Sequence, residues 1–244
     1  MNYIYDEQKI VEAVAKSLET FYGNLVAKID KLHINEIMKR KNPYLYRAKA
    51  MQSASEIIES VLSAYVSSSE ETIFGNCFFE PIAIAASDGN KALAEGIDIM
   101  IHVKETNTIY AYAVKSGTAV FNADSKKRQE QNFAAASKLA QQAKARYEAI
   151  IGYGYGKKKE SGRGVPKIYE EVAGKAFWAK LTGDNEFYLK LISFMGNLPE
   201  KYITQFKESY NKASNRLLKE FITQFCDDEG TIDWNKLVEF NSGD

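Results

Sequence analysis

The sequence predicts an α/β fold in which a few strands in the middle of the chain lie between helical regions, and three observations carry that expectation. Residues 97–103 and 108–115 are rich in β-branched and aromatic side chains and flank the polar stretch Lys104-Glu105-Thr106-Asn107, the pattern of an antiparallel hairpin. A further β-rich run, residues 149–155 (Ala-Ile-Ile-Gly-Tyr-Gly-Tyr), follows a segment rich in Ala, Lys and Gln with helical spacing. Before residue 67 and after residue 183, apolar side chains recur at helical intervals. A chain of 244 residues in this order is read as one domain with elaborations. The expected parts are a helical N-terminal arm or dimerisation region at 1–66, a core at 67–182, and a helical C-terminal extension packed on that core at 183–244.

In chain order, Ile10, Val14, Leu18, Phe21 and Leu25 open a helical pattern that Gly23-Asn24 could break. Ile29, Leu32 and Ile37 continue it until Asn42-Pro43 redirects the chain. Ile57, Ile58, Val61, Leu62 and Tyr65 mark a helix through residue 66. Ser67, Ser68 and Ser69, with Glu70 and Glu71 behind them, predict the cap and first turn of another that runs to Glu80-Pro81. Glu80 stands in the almost wholly apolar stretch Phe78-Phe79-Glu80-Pro81-Ile82-Ala83-Ile84. A carboxylate there is costly unless it is paired, hydrogen-bonded, bound to a metal or turned to solvent. Ser87–Ala92 reads as a loop.

Beyond the hairpin, residues 118–124 form a loop and residues 125–147 a helix with Phe133, Ala136, Leu139, Ala140 and Ala143 along one side. Lys126, Lys127 and Arg128 fall in its first turn, the end of the helix dipole that disfavours cations, so phosphate contact is a reason for them. Residues 156–166 are a basic, Gly-rich loop with Lys157, Lys158, Lys159 and Arg163, and they lack the P-loop spacing. Lys167–Tyr169 reads as a short strand, Gly174–Leu181 and Asp184–Phe194 as short helices, and Glu200–Cys226 as a long one. Asp227–Gly230 is superficially like a calcium loop without its ligand ladder, so it is read as a turn from which Trp234, Leu237 and Phe240 pack back.

Composition excludes several classes. No apolar run nears the roughly 18 residues a membrane span needs, and the acidic start has no signal-peptide core. A cytoplasmic protein without a membrane partner is expected. Cys77 and Cys226 lie in no zinc or disulfide pattern, and His33 and His102 are the only histidines, so nucleophilic systems built on histidine are poorly supplied. Net charge is zero, yet residues 115–180 carry 14 Lys/Arg against 6 Asp/Glu. That local surplus points to a polyanionic partner, although a solvated basic face would look the same.

The hairpin holds the chemistry. With the turn centred on Glu105-Thr106 or on Thr106-Asn107, Asp98 lies opposite Ala113 or Lys115, and in both registers it shares a face with Lys115. A structural salt bridge would need the same placement.

The order of a helix with Glu80, a strand with Asp98, a strand ending in Lys115, a basic helix and another strand resembles the PD-(D/E)xK nuclease superfamily. Further stretches are similar to the PmeII-type branch of type II restriction endonucleases from about residue 42 onward. They are Asn42-Pro43-Tyr44-Leu45-Tyr46-Arg47-Ala48-Lys49, Glu70-Glu71-Thr72-Ile73-Phe74-Gly75, Glu95-Gly96-Ile97-Asp98, Lys115-Ser116-Gly117 and Phe177-Trp178. The resemblance implies a mixed central sheet flanked by helices, with the nuclease core at 67–182. It gives Asp98 the role of first acid, Lys115 that of the motif lysine, and Glu80 that of the helix glutamate in Gly75-x-x-x-x-Glu80. The sequence departs from the pattern at Gly96-Ile97, where proline would precede the acid, and at Ala113, where the second acid would stand. Glu80 is the first choice to replace that acid, Glu95 the second and Glu130 the third.

The implied activity is Mg2+-dependent hydrolysis of double-stranded DNA at a specific sequence, with a homodimer as the acting form and a cognate DNA methyltransferase as a genetic partner. Asp98, Glu80 and the Val114 carbonyl would hold the metal, and Lys115 would orient the attacking water. Lys126, Lys127, Arg128, Lys157, Lys158, Lys159 and Arg163 would meet DNA phosphates. Ala113 motivates one alternative, a catalytically inactive nuclease fold that binds DNA. Another is a structure-specific repair or defence nuclease.

Overall fold

The computed structural model describes residues 5–87, 90–92, 94–158 and 167–243. The chain forms two compact units, Met1–Leu18 with Phe74–Leu198 and Glu19–Ile73 with Pro199–Asp244. Where sequence alone suggests three consecutive parts, each unit draws on two separate stretches. Two boundaries fall inside long helices, α1 (Glu7–Asp30) and α4 (Ala54–Cys77).

The first unit holds a five-stranded sheet in the order β1 (Asn90–Lys91), β2 (Ile99–Val103), β3 (Thr108–Lys115), β4 (Arg146–Tyr153), β5 (Glu170–Ala173). β1, β2 and β3 are antiparallel and β3, β4 and β5 parallel, so the sheet is mixed. The expected hairpin is present. Its register pairs Ile99 with Tyr112 and Val103 with Thr108, leaving Lys104–Asn107 as the turn. Asn107 closes it at φ 46°, a conformation asparagine tolerates better than most side chains.

The parallel step from β3 to β4 is made by α6 (Ala123–Gln142). Asn122 caps it reciprocally: its Oδ1 accepts from Ser125 N at 2.8 Å, and Ser125 Oγ accepts from Asn122 N at 3.0 Å. The helix therefore starts earlier than expected. Asp124 occupies its first turn and Lys126, Lys127 and Arg128 stand behind it, which removes most of the dipole argument for those cations. β4 also begins earlier, at Arg146, because parallel pairing with Thr108 draws residues 146–148 into the sheet. The two-residue β1 lies where a loop is expected, and β5 lies just after the predicted strand at 167–169, paired to Ile150–Tyr153.

Helices cover both faces of this sheet. Phe133 and Ala136 of α6 pack against Ala111, Ala113, Ala149 and Ile151, whereas Leu139, placed on the same stripe from sequence, is exposed. On the other face lie α5 (Phe79–Ala85) and α7 (Lys175–Thr182). Gly152 and Gly154 offer bare backbone there: a Cβ would sit 2.2 Å from the ring of Phe177 and of Phe79 respectively. Trp178 Nε1 adds a hydrogen bond of 2.9 Å to Gly154 O, so Phe177-Trp178 is core. α8 (Phe187–Met195) completes the unit.

The second unit is helical, with α2 (Ile34–Met38), α3 (Pro43–Ala48), α9 (Glu200–Phe225), α10 (Trp234–Ser242) and parts of α1 and α4. Its core includes Leu25, Ile29, Ile57, Leu62, Leu217, Phe221 and Phe225. Gly23-Asn24 does not interrupt α1, and Ser67–Ser69 lie within α4 instead of capping a new helix. Ile58, Leu62, Val66 and Ser69 keep one stripe buried through that region, and packing outweighs the local capping signal. The Asp227–Gly230 turn is as expected, with Asp227 Oδ1 accepting from Thr231 N at 2.8 Å. Among the described residues no helix is long and apolar enough to cross a membrane.

Candidate active site

The end of β3, the central strand, carries the site. Asp98 lies just before β2 and is tied into the sheet by its backbone: its N–H donates to Tyr112 O at 2.8 Å, and its carbonyl accepts from Ala92 N at 3.2 Å. Its side chain then turns to β3. Asp98 Oδ2 accepts from Val114 N at 2.6 Å, standing in for the carbonyl that a longer β2 would supply. Lys115 Nζ is 3.6 Å from the same oxygen, an ionic contact looser than a good hydrogen bond. The Lys115 main chain is held by β4, since its carbonyl accepts from Gly154 N at 2.8 Å. The pairing expected from the hairpin register is thus found, with the Lys115 side chain 29% and that of Asp98 18% exposed. Gly75, at the end of α4, lies against the next residue: a Cβ there would be 3.0 Å from Ser116 Oγ.

The paired register ends at Ile99 and Tyr112, so Asp98 and Ala113 are the next residue along each strand. Ala113 is fully buried in the α6-facing cluster, and no carboxylate of β3 joins the pair. Each of the three candidate replacement acids has another partner. Glu80 Oε1 meets Lys91 Nζ at 3.2 Å with a third of its side chain exposed, which answers the cost of its apolar surroundings. Glu95 Oε1 meets Arg128 Nη2 at 2.5 Å, and both side chains are largely exposed. Glu130 Oε1 accepts from Tyr169 OH at 3.1 Å.

Among the described residues no group of three or more His, Cys, Asp or Glu side chains clusters as a metal site. Of the expected phosphate contacts, Lys127 and Lys157 are exposed and Lys126 half-buried. Lys158 pairs with Glu171 at 2.8 Å, and Lys159 and Arg163 lie outside the described residues.

Two features escape a sequence reading. Glu171 of β5, its side chain only 5% exposed, is held by Lys158, Lys167 and the Tyr153 hydroxyl. Burial alone would raise its pKa, but those three donors outweigh it and hold the carboxyl at about 2. Gln129 is buried on α6 and donates from Nε2 to Gly96 O at 2.7 Å. A polar residue four before Phe133 on the apolar stripe of α6 was the available signal for it.

The site is thus an acid and a lysine side by side at the end of the central strand of a mixed sheet that lies between helical layers. The model of the family described as type II restriction endonuclease EcoO109I matches residues 8–202, and the chain belongs to that family. It is a nuclease, and its substrate is DNA. The match supports restriction endonuclease at family level, with the PmeII-type branch remaining a resemblance. No curated protein matches the chain.

Proposed function

We propose that the chain is a Mg2+-dependent endonuclease of the PD-(D/E)xK type that cuts double-stranded DNA at a specific sequence, with Asp98 and Lys115 as its catalytic pair. The observation that carries the reading is the 3.6 Å approach of Lys115 Nζ to an Asp98 oxygen already anchored on Val114 N. N–H and C=O of one strand residue point the same way, so the Val114 carbonyl opens on the same edge as that carboxylate. Together they offer a hard cation oxygen ligands. Mg2+ commonly takes only one or two carboxylates and completes its shell with water and phosphate oxygens, so the donor set fits. Glu80 is the proposed second acid and would exchange Lys91 for the metal. Bound there, the ion would lower the pKa of a water and screen the scissile phosphate.

The residues of the chain supply the rest. The Lys115 ammonium orients the attacking water and offsets charge growing on the phosphate oxygens. Asp98 keeps that ammonium in place. Lys126, Lys127, Arg128, Lys157, Lys158, Lys159 and Arg163 remain the proposed phosphate contacts, giving affinity without sequence information. Cutting both strands of a palindrome calls for two such pairs, hence a homodimer, with 1–66 as the proposed contact region. A cytoplasmic location and a cognate methyltransferase encoded alongside complete the proposal.

Incubation with phage DNA and Mg2+ tests it, and discrete bands are expected. The buried Ala113 favours a second reading, a silent DNA-binding fold, which a mobility shift without cutting would select. Smearing, or cleavage of junctions only, would favour the repair or defence nuclease and remove site specificity.

A further inference from the structure

Gln129 is a buried polar side chain of the sheet-bearing unit whose partner lies on a distant part of the chain. Two of the other buried hydroxyls there serve their own neighbourhoods: Thr182 Oγ1 bonds Trp178 O one turn back, and Thr108 Oγ1 bonds Thr106 O. Gln129 instead reaches 33 residues back in the chain, from α6 to the carbonyl of Gly96. Gly96 adopts φ 71°, a left-handed conformation that favours glycine, and its Cα faces Asn132, so a Cβ would meet Asn132 Nδ2 at 2.2 Å. Ile97 N donates to Ala94 O at 3.2 Å, closing the turn, and the buried Ile97 leads directly to Asp98. Phe133, one helical turn beyond Gln129, is fully buried against the same β3 residues, which makes that face of α6 a fixed support.

We propose that Gln129 is a positioning residue for the Asp98–Lys115 pair: it fixes the Gly96 carbonyl, and through it the backbone from which Asp98 reaches Val114 N. The inference rests on the proposed role of Asp98. With alanine at 113, β3 itself offers Asp98 only the Val114 N–H and the loosely placed Lys115. The restraint therefore comes from α6.

Amide hydrogen exchange tests it without metal or DNA, because the Val114 N–H reports directly on the Asp98 carboxylate. In Gln129→Leu, which keeps the bulk and removes the donor, the Val114 amide should lose about tenfold in protection, the scale of one net hydrogen bond. Amides of β4 should keep theirs. Single-turnover cleavage at saturating DNA should fall by about the same factor while DNA affinity holds. Gln129→Glu provides the rescue: its protonated carboxyl can donate to Gly96 O and its ionised form cannot, so Val114 protection should be near wild type at low pH and fall as the glutamate ionises. If wild-type protein does not cut DNA but Val114 protection still drops, the nuclease proposal fails and the positioning role stands. Unchanged Val114 protection, or equal loss across Val114 and β4, overturns the positioning role whatever cleavage does.

Discussion

Two acid–lysine clusters share one sheet and end up opposite in character. Ala113 pairs with Ile151 and Ile151 with Glu171, so Glu171 lies two strands from β3, whose Val114 N–H holds the Asp98 carboxylate. Glu171 is saturated: two lysines and a tyrosine hydroxyl satisfy it, 5% of the side chain remains exposed, and its carboxyl is held at about 2. Asp98 has one backbone N–H and one lysine at 3.6 Å, and 18% of its side chain still faces outward. A saturated carboxylate braces β5 and the residues on either side of it, but it has little capacity left for a ligand. An incompletely satisfied one costs stability and keeps lone pairs for a water or a metal. The same two residue types thus serve architecture in the Glu171 cluster and leave acceptor capacity in the Asp98 cluster, where the proposed chemistry would use it.

The largest effect should come from breaking the open cluster. Asp98→Ala and Lys115→Ala should each cut single-turnover DNA cleavage by roughly 10^2–10^4-fold, the range for removal of a charged catalytic group. Far-ultraviolet circular dichroism should show an unchanged fold. Near-wild-type rates in either variant would remove the pair from the mechanism. Next comes an attempt to close the open cluster. Ala113→Glu restores an acid at the motif's own position but drives it into the Phe133 face, where Ala113 is fully buried. Urea unfolding should show a loss of about 2–3 kcal/mol, from overpacking and a poorly solvated charge. Cleavage should not rise, and a gain in rate would mean that this face has room for the motif's own acid.

Breaking the closed cluster should cost less. Glu171→Gln leaves Lys158 and Lys167 without their anion, but both lysines are partly exposed, at 31% and 43%. The expected loss is about 1–2 kcal/mol, below that of a fully buried pair. The pH dependence carries its own sign. The folded carboxyl titrates near 2, below its ordinary value of about 4.3, so its stabilisation is fully present above that value and is lost as pH falls toward 2. Thermal unfolding of the wild type should drop through that window, and Glu171→Gln should lack this part of the slope.

How far the sequence could see follows the same division. Asp98 is one residue before β2 and Lys115 is the last residue of β3, and a two-residue period with a short polar turn is enough to set them on one face. Phe133 and Ala136 were legible as the helix stripe for the same reason. Glu171 and Gln129 were not, because their partners come from β4, from Lys158 and Lys167, and from a turn 33 residues away, none of which a local period encodes. The false helix start at Ser67–Ser69 and the late start given to β4 have the mirror cause. Local capping signals are outweighed there by burial of α4 and by parallel pairing with β3. The basic residues 126–128 were grouped by sequence, yet one of them is engaged with Glu95.

That pair gives the smallest and most discriminating test of the comparison. Glu95 and Arg128 meet at 2.5 Å with side chains 70% and 73% exposed, so losing either should change stability by no more than about 0.5 kcal/mol. Their proposed roles differ: Arg128 as a phosphate contact must leave Glu95 to reach DNA, while Glu95 is the second choice for the displaced acid. Glu95→Gln frees the arginine and should raise DNA affinity about two- to fivefold at low salt, an advantage that fades as salt screens it. Arg128→Ala should weaken binding at low salt and lower the slope of affinity against salt by roughly one. Cleavage at saturating DNA should be unchanged in Glu95→Gln if Glu80 is the second acid. If cleavage collapses while binding is kept, Glu95 takes that role, and the open cluster extends from Asp98 back across the Gly96 turn instead of toward Lys91.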